Sequence, residues 1–131
     1  MTSICPCGSG HHFVVCCQSI INGKSVAQTA EQLMRSRYSA FVKGEVDYLL
    51  RSHHSSTRPV KERSHMLQWM NSVQWLGLTI LSAAAGQAND SNGYVEFKAF
   101  YVESNQTQII HEKSLFEKEN GYWVYVSGIH H

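Results

Sequence analysis

Thr107-Gln108-Ile109-Ile110-His111-Glu112-Lys113-Ser114-Leu115-Phe116-Glu117-Lys118-Glu119-Asn120-Gly121-Tyr122-Trp123-Val124-Tyr125-Val126-Ser127 spells out a β-hairpin. Two runs rich in β-branched and aromatic residues, 107–118 and 122–127, flank Asn120-Gly121. Asn-Gly is the pair that most readily supplies positive φ at both centres of a two-residue turn. Such a turn sets Phe116 opposite Tyr125 and Lys118 opposite Trp123, and opposed residues share a face. Working backwards, Tyr94 to Val102 alternates, with Val95, Phe97, Ala99 and Tyr101 on one side. A second tight turn at Ser104-Asn105 sets Phe97 opposite Glu112 and Val95 opposite Ser114. One sheet face then carries Val95, Phe97, Ala99, Tyr101, Ile110, Glu112, Ser114, Phe116, Trp123 and Tyr125. Trp75 to Leu81 reads as a further strand, and Ala84 to Asn92 as a loop. The result is an antiparallel four-stranded meander.

Helical signals precede the meander. Thr29 and Gln32 fit a capping box, and Ala30, Leu33, Met34, Tyr38, Phe41 and Val42 recur at helical spacing before Gly44. A second helix is expected over Glu45 to Arg51, a loop at His53-His54-Ser55-Ser56, and a third helix from Pro59 carrying Val60, Leu67, Trp69 and Met70. Residues 18–28 read as a polar connector turning at Asn22-Gly23. Helices first and strands after them imply an α+β domain with helices packed on one sheet face.

Two charges stand alone on these apolar surfaces. Arg37 falls inside the helix arc, with Arg35 at its edge, and Glu112 lies on the sheet face. An unpaired buried charge is costly, so Arg37 and Glu112 are expected to meet, as a structural ion pair or as the polar floor of a pocket. The pocket candidates are Arg37, Tyr38, Phe97, Tyr101, Glu112 and Trp123. His111 points to the opposite sheet face from Glu112. His53, His54 and His65 lie outside the strands and read as surface histidines.

All four cysteines fall within the first 17 of 131 residues: Cys5, Cys7, Cys16 and Cys17. Pro6, Gly8 and Gly10 allow the tight turns that bring such thiols together. The spacing fits a closed structural zinc site better than a redox dithiol or a disulfide, because Cys-x-x-Cys at a helix start is absent. Adjacent side chains such as Cys16 and Cys17 tend to diverge, and the alternative is that His11 or His12 replaces one of them. A four-ligand site has no open position for catalysis.

The chain carries 11 basic and 10 acidic residues, with 43% hydrophobic composition. That balance argues against a nucleic-acid partner. No apolar run reaches the roughly 20 residues that span a bilayer, and no leader layout is present, so a cytoplasmic location without a membrane partner is expected. The terminal His130 and His131 are set aside.

Cys5-Pro6-Cys7-Gly8-Ser9-Gly10 with Cys16-Cys17 resembles the SEC-C motif, the zinc knuckle at the end of the protein-export ATPase SecA. That motif often ends Cys-His, where this sequence has Cys17. The whole chain resembles the YchJ family. The matching residues run from Thr29 to Ala40, then Trp75-Leu76-Gly77-Leu78, Val95-Glu96-Phe97, His111 to Phe116 and Gly121 to Gly128. The resemblance implies a SEC-C zinc unit over 1–22 and, over 23–131, a cone-shaped cystatin-like or SnoaL-like α+β domain. It implies no reaction. Two roles are therefore expected: a zinc-binding adaptor, or a small enzyme such as a lyase, isomerase or hydrolase. The adaptor docks a protein partner through a knuckle displaying His11, His12 and Phe13, and its cone takes a small-molecule ligand or partner. The enzyme works around Glu112 and Arg37.

Overall fold

The computed structural model describes residues 3–131, so the first two residues of the amino-terminal unit lie outside the described residues. Among the described residues, four α-helices precede four strands: α1 (Cys17–Ile21), α2 (Ala30–Lys43), α3 (Val46–Arg51), α4 (Arg63–Ser72), β1 (Gln74–Ala85), β2 (Asn92–Glu103), β3 (Gln106–Glu119) and β4 (Tyr122–His130). The strands form one antiparallel sheet in sequence order. Among the described residues, no helix is long and apolar enough to cross a membrane.

The register read from the turns holds. Phe97 pairs with Glu112, Val95 with Ser114, Phe116 with Tyr125 and Lys118 with Trp123. Ser104, Asn105, Asn120 and Gly121 all have positive φ, as two-residue turns matched to strand twist require. The last strand is longer than its pattern suggests. A bulge at Val126 shifts the pairing, so β4 continues until His130 lies opposite Glu112. Gly128 comes to lie beside the Glu112 carboxyl, where any Cβ would collide with it.

α2 is fixed at both ends. The Thr29 hydroxyl accepts the Gln32 N–H at 3.1 Å, while the Gln32 side chain accepts from Gln28 at 2.7 Å, one residue before the box partner. Gly44 closes the helix in the left-handed conformation. The Ala30 N–H donates to the Gly86 carbonyl at 2.9 Å, which ties the β1–β2 loop to the helix start.

Three expectations differ. The connector opens as α1 because Ile20 and Ile21 pack beside Cys17. The third helix begins with a separate tight turn over Val60–Glu62, since Pro59 has ψ 63° and does not start an α-helix. The loop between the first strands is shorter than 84–92, because β1 runs to Ala85.

Two apolar clusters flank α2. Leu33, Met34 and Tyr38 meet Val95, Phe97, Ala99, Phe116 and Trp123 of the sheet. On the other side Ala40 joins Val46, Tyr48, Leu49 and Met70, together with Cys5, Cys7, Cys17 and Ile21.

Candidate ligand cavity and metal centre

The knuckle forms from backbone turns. The Cys5 N–H donates to the His11 carbonyl at 2.8 Å and the Phe13 N–H to the Ser3 carbonyl at 2.8 Å, with Gly8 and Gly10 at positive φ between them. A tight turn over Phe13–Val15 then delivers Cys16, whose φ and ψ of −111° and −115° let neighbouring thiols converge. The sulfurs of Cys5, Cys7, Cys16 and Cys17 all lie within 4.8 Å of one another. Cys7 and Cys16 are 3.8 Å apart, and Cys16 and Cys17 4.0 Å. Four thiolates about 2.3 Å from one ion in a tetrahedron would be separated by about 3.8 Å, so the set fits a metal ion. All four are free thiols. The converging group contains neither His11 nor His12.

The Cys17 thiol donates toward Cys7 and, with Ser9, pulls the Cys7 pKa down to about 4 against the effect of burial. The same bond raises Cys17, and burial raises Cys16. The Ser9 hydroxyl lies 3.2 Å from the Cys16 sulfur. Such donors orient metal-binding thiols.

The knuckle is fastened to α2. Arg35 donates to the Cys7 carbonyl at 2.6 Å while pairing with Glu31 at 3.0 Å, and the Cys5 sulfur sits 3.4 Å from the Ser39 hydroxyl. The edge position of Arg35 thus faces the knuckle, a contact the helical pattern alone does not signal. Phe13 is half-buried against this cluster with the Lys43 ammonium 4.9 Å from its ring centre, while His11 is exposed.

The second feature is a cavity of about 260 Å³ between α2, α4 and the inner sheet face. Tyr38, Phe41, Trp69, Trp75 and Phe97 give it aromatic walls. Trp75 anchors them, 5.8 Å from Tyr38, 5.6 Å from Phe41 and 5.5 Å from Trp69 between ring centres. Among the described residues, its indole N–H is the buried side-chain group without a partner.

The polar end is built on Tyr125. Its hydroxyl donates to Glu112 at 3.0 Å, as does the Ser114 hydroxyl, and His130 lies 3.3 Å from the other carboxyl oxygen. Arg37 sits over the Tyr125 ring, 4.7 Å from its centre, and donates to the Leu49 carbonyl at 2.8 Å and the Ser52 hydroxyl at 2.7 Å. The expected pairing of Arg37 with Glu112 is therefore corrected. The end of α3 captures the guanidinium, the Tyr125 ring intervenes, and no ion pair within 4.0 Å forms between them.

Burial pulls Arg37 down to about 10, opposed by Tyr125, Tyr48 and Glu112, so it stays charged at neutral pH. Burial, then Glu112, raises Tyr125. Tyr38 is pushed up to about 12 by burial.

Arg37, Tyr38, Phe97 and Glu112 thus meet at one cavity, whereas Tyr101 and Trp123 do not line it. Tyr101 packs outside on Trp69 and Trp75. Trp123 donates to the Gln28 carbonyl at 3.2 Å on the far side. Residues not anticipated include Tyr125, legible as a same-face neighbour of Glu112, and His130, reached only through the bulge. His53 is a further correction: it is buried, meets the Tyr125 ring edge-on with centres 5.0 Å apart, and bonds Thr57 at 3.0 Å. A bridge to β4 pulls its loop inward.

His53 supplies a pH prediction. Burial, followed by the nearby Arg37, lowers its pKa to about 4 against 6.5 for the free side chain. The folded state resists protonation, so the unfolded chain binds more protons between these values. Its contribution is complete above pH 6.5 and is lost as pH falls toward 4. Melting temperature followed from pH 7 to 4 should fall less steeply in His53→Gln than in the wild type; equal slopes would contradict this assignment.

Residues 29–128 match the family model described as "YchJ, middle NTF2-like domain", and residues 1–19 match the SEC-C motif. A UPF0225 protein of Photorhabdus laumondii is 44% identical over 98% of this chain and 82% of its own length. The UPF0225 protein YchJ of Shigella dysenteriae is 40% identical over 98% and 84%. The solution structure of a SEC-C motif containing protein from Rhodopseudomonas palustris superposes with a TM-score of 0.85 at 30% identity, covering 98% of both chains. A crystal structure of a SEC-C motif containing protein from Psychrobacter arcticus gives 0.82 at 26% identity, over 95% of this chain and 81% of that one. An amino-terminal SEC-C knuckle joined to an NTF2-like α+β domain makes this chain a member of the YchJ family, UPF0225.

Proposed function

We propose that this protein is a zinc-braced module that binds a small organic ligand in its cone. The cavity carries the reading. It is about 260 Å³, aromatic along its walls, and polar at one end only. Concave apolar sites with a few convergent polar groups are where small ligands bind. An apolar cavity of about 150 Å³ already accommodates a benzene ring, so this one suits a single ring with a short substituent. Of the two roles expected from the sequence, the cavity favours ligand binding as the adaptor's task. Glu112 is engaged by Tyr125, Ser114 and His130, which favours holding over proton transfer. The ion is zinc, held by Cys5, Cys7, Cys16 and Cys17; it fixes the amino-terminal turns and supplies no open position. The free thiols this needs suit a cytoplasmic protein.

Ala99, buried on the cavity wall, provides the test. Ligand-observed NMR against a panel of single-ring compounds should find binders to the wild type. Ala99→Leu, which fills the space, should lose them with its melting curve little changed. Binding undiminished in Ala99→Leu would overturn the cavity as the site.

A further inference from the structure

We propose that the cavity takes a one-ring carboxylate, with the carboxylate held by Arg37. This rests on the cavity being the binding site and names the chemistry of its ligand.

Arg37 is 6% exposed. Both of its hydrogen bonds come from one nitrogen, Nη1. Nε and Nη2 carry three further N–H groups with no acceptor among the described residues. Neither nitrogen is sealed off, because among the described residues the fully enclosed side-chain nitrogen or oxygen without a partner is Trp75 Nε1. Arg37 lines the cavity, which is the space where an acceptor for those donors would sit. A buried guanidinium with donors to spare and no carboxylate in ion-pair range calls for an anion.

The geometry selects which anion. A guanidinium presents parallel N–H groups that match the two oxygens of a carboxylate. Glu112 does not take this role, because Tyr125 and Ser114 satisfy it and the Tyr125 ring separates it from Arg37. A carboxyl side chain at the same end disfavours a doubly charged phosphate more strongly than a singly charged ligand. Among the described residues on the cavity wall, Arg37 is the one lysine or arginine, which suits a ligand with a single charged group. The body of the ligand meets Tyr38, Phe41, Trp69, Trp75 and Phe97, surfaces that suit a flat ring.

The experiment compares phenylacetate with phenylacetamide, which has the same shape and no charge, by titration calorimetry and chemical-shift mapping on the full chain. A charged hydrogen-bonded pair is worth enough to separate them by about tenfold or more. The expected result is that phenylacetate binds at least that much more tightly than the amide, shifting resonances of Tyr125 and Trp75. Arg37→Lys should retain part of the preference, and Arg37→Met should erase it. The wild-type comparison stands even where Arg37→Met fails to fold. Equal binding of acid and amide would overturn the carboxylate assignment and leave the cavity as a site. Failure of every single-ring compound to bind would remove both.

Discussion

With zinc bound as proposed, a Cys7→Ser chain is expected to lose it and to melt roughly 30 °C lower than the wild type in one transition, a shift taken from the usual worth of structural zinc and the size dependence of melting. The single transition is the informative part. A knuckle hung on a linker would empty without disturbing the body. Here Cys5, Cys7 and Cys17 lie in one cluster with Ala40, Val46, Leu49 and Met70, and Arg35 clamps the Cys7 carbonyl to α2. Cys7 is fully buried, and the substitution removes one of the four converging thiols and leaves a hydroxyl in its place. The cost therefore reaches α2, α3 and α4. Elemental analysis with scanning calorimetry checks it. A metal-free variant that melts at the wild-type temperature would show that the ion braces nothing beyond its own loop.

Phe116→Ala is expected to lower unfolding free energy by about 4 kcal/mol, in the range for emptying a buried aromatic site. Phe116 is completely enclosed at the centre of the sheet's inner face. Its ring packs edge-on against Tyr125, with centres 5.8 Å apart at 75°. The void opens beside the tyrosine that separates Arg37 from Glu112, so ligand affinity should fall along with stability. Phe116→Leu, which keeps most of the volume, should cost much less. Urea unfolding reports both: the midpoint should move while the slope stays constant. A midpoint for Phe116→Ala near that of the wild type would mean that the inner face does not carry the core.

Much of this arrangement is legible in the residues. Two tight turns, Ser104-Asn105 and Asn120-Gly121, fix the pairing of three strands, because their geometry leaves one register. That alone sets Phe97 opposite Glu112, as the sheet has it. The four cysteines were legible from clustering alone. What could not be read was lateral. The helical pattern shows that Arg37 faces inward, yet the Leu49 carbonyl and Ser52 that capture it come from the end of another helix. The burial of His53 depends on a bridge to β4, and no local signal marks it. His130 reaches Glu112 only because Val126 bulges, and a strict alternation of faces hides that shift.

The two irregularities in β1 bear on how the molecule behaves in crowded solution. They fall between Trp75 and Gly77 and between Ile80 and Ser82, leaving Leu76 and Leu81 outside the ladder and exposed at 51% and 45%. A flat outer strand with free amides is a template on which another polypeptide can zip, and interruptions of this kind spoil the match. Straightening β1 by deleting either leucine would regularise that rim and invite fibrous association, so these greasy, unpaired positions guard the open margin of the sheet.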